Sequence, residues 1–114
     1  MSLTLTARQV GDVTVLDASG KITLGEGSVI FRDKIKDLVA AGNKKILINM
    51  ADITYIDSSG IGELVSGFTT TTNSGGMLKL LNLGKRVEDL LQITKLYTVF
   101  DTHTDEAAAI RSFA

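Results

Sequence analysis

Five residues near the middle of the chain, Ile46-Leu47-Ile48-Asn49-Met50, form an apolar run with almost no polar face. A strand of this kind must be covered on both sides, as a central strand is in a sheet flanked by helices. The neighbouring segments supply the cover. Upstream, Phe31, Ile35, Leu38 and Val39 recur at helical spacing, while Arg32, Asp33, Lys34, Lys36 and Asp37 take the other side. This predicts an amphipathic helix from about Glu26 to Ala41, closed by Gly42. Downstream, Ile61, Leu64, Val65 and Phe68 predict a second helix from Ser59 to about Thr72, ended by Ser74-Gly75-Gly76.

The remaining segments extend the same plan. Leu3, Leu5 and Ala7 alternate with Thr4 and Thr6, and beyond the Gly11-Asp12 turn signal Val13 and Val15 continue the period of two, which predicts a β-hairpin. Met77 to Leu81 reads as a strand, Lys85 to Ile93 as a third helix and Val99-Phe100 as a short edge strand. Thr104 is expected to cap a last helix, with Asp105 and Glu106 in its first turn and Arg111 in its last, matching the macrodipole. The order is β-β-α-β-α-β-α-β-α. It implies an α/β fold, a mixed sheet with four helices and right-handed crossovers. A chain of 114 residues suits a single domain spanning 1–114.

Charge and residue usage remove several functions. A formal net charge of −1 offers no basic field for nucleic acid or an anionic membrane. The absence of cysteine and the single histidine leave no disulfide, no thiol nucleophile and no Cys/His zinc cluster, so neither a metal nor a cofactor is expected. The start, Met1-Ser2-Leu3-Thr4-Leu5, lacks a basic region followed by an apolar core, and no apolar run reaches membrane-spanning length. A cytoplasmic protein is the expectation.

The stretch richest in chemistry is Asp52-Ile53-Thr54-Tyr55-Ile56-Asp57-Ser58-Ser59-Gly60-Ile61-Gly62. It brings a carboxylate and two hydroxyls to the entry of the second helix, where backbone N–H groups lack partners and the dipole end is positive. Asp57 or Ser58 can serve simply as the N-cap. Gly60 and Gly62, however, each cost about 1 kcal/mol relative to Ala in a helix. Either the close approach of a partner or tight helix–sheet packing accounts for them. No Glu or Gln follows Ser58 or Ser59 at the third position, so the reciprocal capping box is missing. The alternative to a plain cap is a phosphorylatable Ser58. A phosphate there would add about −1.5 to −2 charges at a helix end that tolerates them, changing the surface without unfolding the domain.

Asp57-Ser58-Ser59-Gly60-Ile61-Gly62, preceded by Asp52-Ile53-Thr54-Tyr55-Ile56, resembles the signature of the STAS domain family, specifically the bacterial anti-sigma-factor antagonists. The resemblance continues through Gly75-Gly76-Met77-Leu78-Lys79-Leu80, Asn82-Leu83, Val87, Leu90-Leu91, Thr94, Leu96 and Val99-Phe100, and upstream to the Gly20 turn, covering essentially the whole chain. It implies that Ser58 is the phosphoacceptor of a partner anti-sigma factor with serine kinase activity, and that a metal-dependent serine phosphatase reverses the modification. It also implies a docking surface of Asp57, Ser59, Gly60, Ile61 and Gly62, with Thr23 as a further contact. The unphosphorylated protein would bind the anti-sigma factor and free the sigma factor, as a monomer or weak dimer. One departure stands out. Where the family carries a Gly-Glu-x-Asp pattern, this chain reads Gly20-Lys21-Ile22-Thr23, so either the kinase differs in its complementary charge or the chain serves another signalling assembly. Thr23 can equally be a turn residue flanking a helix.

Three other functions compete with this reading. A hydrolase would use Ser58 as nucleophile and His103 as base, yet His103 lies in the polar segment Asp101-Thr102-His103-Thr104 and no Gly-x-Ser-x-Gly elbow is present. Nucleotide binding lacks its loops, since Gly25-Glu26-Gly27 is too short for a dinucleotide fingerprint and Gly84-Lys85 lacks phosphate-loop spacing. A constitutive STAS scaffold or adaptor, in a stress-signalling or transport assembly with Ser58 never modified, is the main alternative.

Overall fold

A computed structural model describes residues 3–114. Met1 and Ser2, part of the start read as leader-free, lie outside the described residues. Strands β1 (Leu3–Val10) and β2 (Val13–Ile22) form the expected hairpin, with Val10 opposite Val13 across the Gly11-Asp12 turn. There follow α1 (Glu26–Ala40), β3 (Lys45–Ile56), α2 (Ser58–Asn73), β4 (Met77–Leu81), α3 (Lys85–Ile93), β5 (Thr102–His103) and α4 (Glu106–Arg111). The sheet runs β1-β2-β3-β4-β5; only the first pair is antiparallel, and each later neighbour is reached through one helix. The expected element order and mixed sheet are thus both present.

The central run explains the layering. Ile46, Ile48 and Met50 pack with Phe31 and Ile35 of α1, Leu64 of α2 and Val87 of α3 on one face of the sheet. Leu47 belongs instead to a smaller cluster with Val13, Val15, Leu81, Ala109 and Phe113 on the other. Each of these side chains is buried, and such burial contributes about 1.5–3 kcal/mol for a large aliphatic or aromatic group. Asn49, the polar member of the run, is half-buried and donates from Nδ2 to Asp17 at 2.9 Å. The short α4 is tied down by Arg8, whose guanidinium forks between Asp17 at 2.7 Å and Glu106 at 2.6 Å. Hydrogen bonds from Arg8 hold both carboxyls below their usual range. Among the described residues no helix is long and apolar enough to cross a membrane.

Three boundaries differ from the sequence reading. The central strand continues past Met50 to Ile56, because Ser19, Gly20, Lys21 and Ile22 of β2 pair with Asp52, Ile53, Tyr55 and Ile56. Backbone pairing, rather than an apolar pattern, carries those residues. Val99 and Phe100 form no strand: the Phe100 ring turns into the core, edge-on to Phe68 with centroids 5.6 Å apart. The last strand lies at Thr102–His103, where Leu80 N–H donates to the Asp101 carbonyl and Asn82 N–H to that of His103. Finally, α4 is capped by Asp105, which accepts from Ala108 N–H at 2.9 Å, and not by Thr104.

Candidate functional site

The loop between β3 and α2 is a single residue, Asp57, and its geometry follows from what that residue must satisfy. Its backbone is extended, its N–H donates to the Ile22 carbonyl of β2, and its carboxylate spans two segments. Oδ1 accepts from Gly60 N–H at 2.8 Å, which caps α2, and Oδ2 accepts from Leu24 N–H at 3.1 Å. Asp57, one of the two cap candidates, is therefore the N-cap, and it also fastens the β2–α1 loop to the helix start. Partial burial pushes its carboxyl upward, but backbone hydrogen bonds from Gly60, Leu24 and Ser59 together outweigh this and hold it below the usual carboxylate range.

This depressed value has a consequence for stability. The Asp57 contribution is complete above the unfolded pKa of about 3.9 and is lost as pH falls through the lower folded value. Asp57→Ala is expected to cost about 1–2 kcal/mol at pH 7, as other N-cap losses do. The gap between the urea midpoints of the two proteins should narrow below about pH 4, which parallel denaturation curves at pH 7 and pH 3 would check.

The residues after the cap divide by which way they face. Ser58, the first residue of α2, is exposed, and among the described residues no hydrogen bond ties up its hydroxyl. Ser59 is half-buried and Gly62 is exposed with open space above it. Gly60 and Ile61 are buried, which corrects the expectation that they offer docking surface. A β-carbon on Gly60 would fall on the Ile22 carbonyl oxygen and on the Ile56 side chain, so this glycine exists for helix–sheet packing. Only Gly62 leaves the outer surface bare.

Two neighbours complete the site and carried no signal in the sequence. Leu24 is 78% exposed on the loop that Asp57 holds, a large apolar side chain next to the helix start. Thr23 is half-buried beside it, and its carbonyl accepts from both the N–H and the hydroxyl of Ser28, so it does serve as a turn residue flanking α1. Arg86 of α3 donates from Nε to the Ile56 carbonyl at 3.3 Å and from Nη2 to the Tyr55 hydroxyl at 2.9 Å. Nothing in the period of α3 distinguishes Arg86 from an ordinary exposed helix residue.

His103 has partners of its own. Its Nε2 lies 3.3 Å from Asp101 and 3.4 Å from the Ser112 hydroxyl, so a single ring nitrogen faces both groups. A relay needs the carboxylate and the serine on different nitrogens. A groove of about 340 Å³ lined by Leu83, Leu91, Tyr97 and Thr102 among others includes neither Thr23 nor any residue from Asp57 to Gly62. Ser58 thus lies outside that groove, on an open surface.

Comparison with known proteins places this geometry. The STAS domain model matches residues 4–109. The chain is 31% identical over 101 residues to the Anti-sigma-B factor antagonist of Bacillus subtilis, covering 89% of this chain and 91% of that protein. Among solved structures, an anti-sigma factor antagonist from Mycobacterium paratuberculosis shares the fold with a TM-score of 0.83 at 17% identity, covering 98% and 94% of the two chains. The Bacillus cell fate determinant SpoIIAA in its phosphorylated form matches with a TM-score of 0.73 at 22% identity, covering 96% and 99%. SpoIIAA in its unphosphorylated form matches with 0.70 at 20% identity, covering 96% of each chain. The chain belongs to the STAS domain family and, within it, to the anti-sigma-factor antagonists.

Proposed function

We propose that this protein is a partner-switching antagonist whose unphosphorylated form binds an anti-sigma factor with serine kinase activity and so releases the sigma factor. Phosphorylation of Ser58 by that kinase ends the complex, and a metal-dependent serine phosphatase restores it. The observation that carries this reading is the exposed Ser58 hydroxyl at the first residue of α2, on a loop fastened from both flanks. A helix start accepts an anion without rearrangement, so the modified surface changes while the core does not. SpoIIAA, which matches this chain about equally well in its two forms, supports a switch of that kind.

The docking face consists of Ser58, Ser59 and Gly62, with Thr23 and the exposed Leu24 on the adjoining loop, all positioned by Asp57. Gly60 and Ile61 act beneath it by letting α2 sit close to the sheet. Lys21 and Thr23, in place of the family's acidic pair, suit a kinase of complementary charge. The protein needs no cofactor or catalysis of its own for this role, and it works in the cytoplasm as a monomer or weak dimer.

The test is incubation with ATP and each kinase-type anti-sigma factor of the source genome, read by intact mass. One phosphoryl group gained by the native protein and none by Ser58→Ala is expected. Ser58→Ala should stay bound to that kinase in the presence of ATP, while Ser58→Asp binds about tenfold more weakly, since one carboxylate imitates a phosphate poorly. Binding without phosphate uptake, equal in the native, Ala and Asp proteins, would establish the constitutive scaffold instead.

A further inference from the structure

Arg86 is a cation anchored without an anion. Its guanidinium lies 4.4 Å from the centroid of the Tyr55 ring, its Nη2 reaches the Tyr55 hydroxyl, and its Nε holds the Ile56 carbonyl, two residues before Ser58. Among the described residues it forms no ion pair with a carboxylate, whereas its neighbour Lys85 is paired with Asp89. Three of its five N–H donors remain after the two hydrogen bonds described. An arginine stacked on an aromatic ring keeps its planar fork pre-set for a bidentate oxyanion. The proposed function places an oxyanion, the phosphate of Ser58, two residues along the chain from the carbonyl that Arg86 holds.

We propose that Arg86, fixed on Tyr55 at the base of the loop, is the intramolecular counter-charge of phosphorylated Ser58. This rests on Ser58 being the modified residue. Its effect is to hold the phosphate as the full dianion at neutral pH and to keep that bulky, hydrated group on the docking face of the domain. Charged residues on the elements bordering the loop include Asp57, Lys21, Glu26, Asp52, Glu63, Lys85, Glu88 and Asp89. Lys21 stands opposite Tyr55 in the β2–β3 register and adds in the same sense as Arg86. Asp57 opposes them, Glu63 is paired with Arg32, and Lys85 with Asp89. All of these are constant between Arg86 variants.

The experiment installs phosphoserine at position 58 by genetic encoding and follows the phosphorus-31 shift through the second phosphate ionisation, which needs no partner protein. A free phosphoserine titrates near pH 6. In the native background the midpoint should lie about half a unit lower, a shift of the size one nearby solvated cation produces. Arg86→Gln should bring it back toward the free value, and Arg86→Lys should keep most of the shift. Equal midpoints in native and Arg86→Gln proteins, or the same loss in both variants, would overturn the proposal. Because the phosphate is installed during translation and needs no kinase, that failure is distinct from failure of the switch, which the mass measurement with kinase and ATP reads separately.

Discussion

Gly60→Ala should lower stability by about 3 kcal/mol and the thermal midpoint by roughly 10–15 °C. The added carbon meets the Ile22 carbonyl oxygen and the Ile56 side chain. A flexible side chain could yield, but the Ile22 carbonyl is backbone at the end of β2 and already accepts from Asp57 N–H. Relief therefore requires moving α2 off the sheet, which opens the packing of Ile61 and Leu64. Gly62→Ala provides the contrast within the same helix. Nothing lies within 4 Å of its added carbon, so the gain in helix propensity should make it neutral to about 1 kcal/mol stabilising. Thermal melts of the two variants check this, and equal losses would show that both glycines serve packing. If Gly62 keeps the docking face bare, Gly62→Ala should fold well yet bind its partner more weakly.

Phosphorylated Ser58 should weaken binding to the anti-sigma factor at least about a hundredfold, the largest functional effect expected of any single change in this chain. Even with an arginine of its own chain beside it, a hydrated phosphate dianion brought against a partner surface shaped for a bare hydroxyl costs several kcal/mol in lost hydration and lost contact. About 2.7 kcal/mol already corresponds to a hundredfold. The far-UV circular dichroism and thermal midpoint of the modified protein should stay close to those of the native form, since the new charge sits at a tolerant helix end. Titration calorimetry of both forms against the same kinase measures the ratio. A hundredfold loss accompanied by unfolding would mean that the phosphate acts by disrupting Asp57, whose carboxylate caps the helix one residue away.

The site joins two kinds of control that are separate in the chain. Asp57 orders the surface, because one carboxylate holds both the first turn of α2 and the loop that presents Leu24. Ser58 would then change only the charge on that ordered surface. A device of this form switches quickly, since no segment has to fold or unfold between states. The ion pair of Arg32 with Glu63 at 3.0 Å reinforces the α1–α2 contact behind it, although an exposed pair adds little.

What the chain reveals unaided is whatever depends on local backbone geometry. The span of α3, the span of β4, the hairpin turn and the entry of α2 follow from periods of 3.6 and 2 within a few residues. The Asp57-Ser58 motif is legible as a helix entry for the same reason, since a cap is a local feature, whereas its reading as a signature rests on the resemblance to the STAS family. The rest depended on residues far apart in sequence. That Gly60 is a packing glycine and Gly62 is not follows from the register of β2 against β3, which shifts twice between Asp17 and Lys21 and so brings the Ile22 carbonyl under α2. That the Leu24 loop is tied to Asp57 and Arg86 to Ile56 follows from two side chain–backbone hydrogen bonds spanning about thirty residues each. The last strand moved to Thr102–His103 because Phe100 is worth more in the core than in a sheet edge. Periodicity reports which side of an element is apolar; only the packed chain decides what that side meets, because such contacts are made through space between segments whose sequences carry no mark of each other.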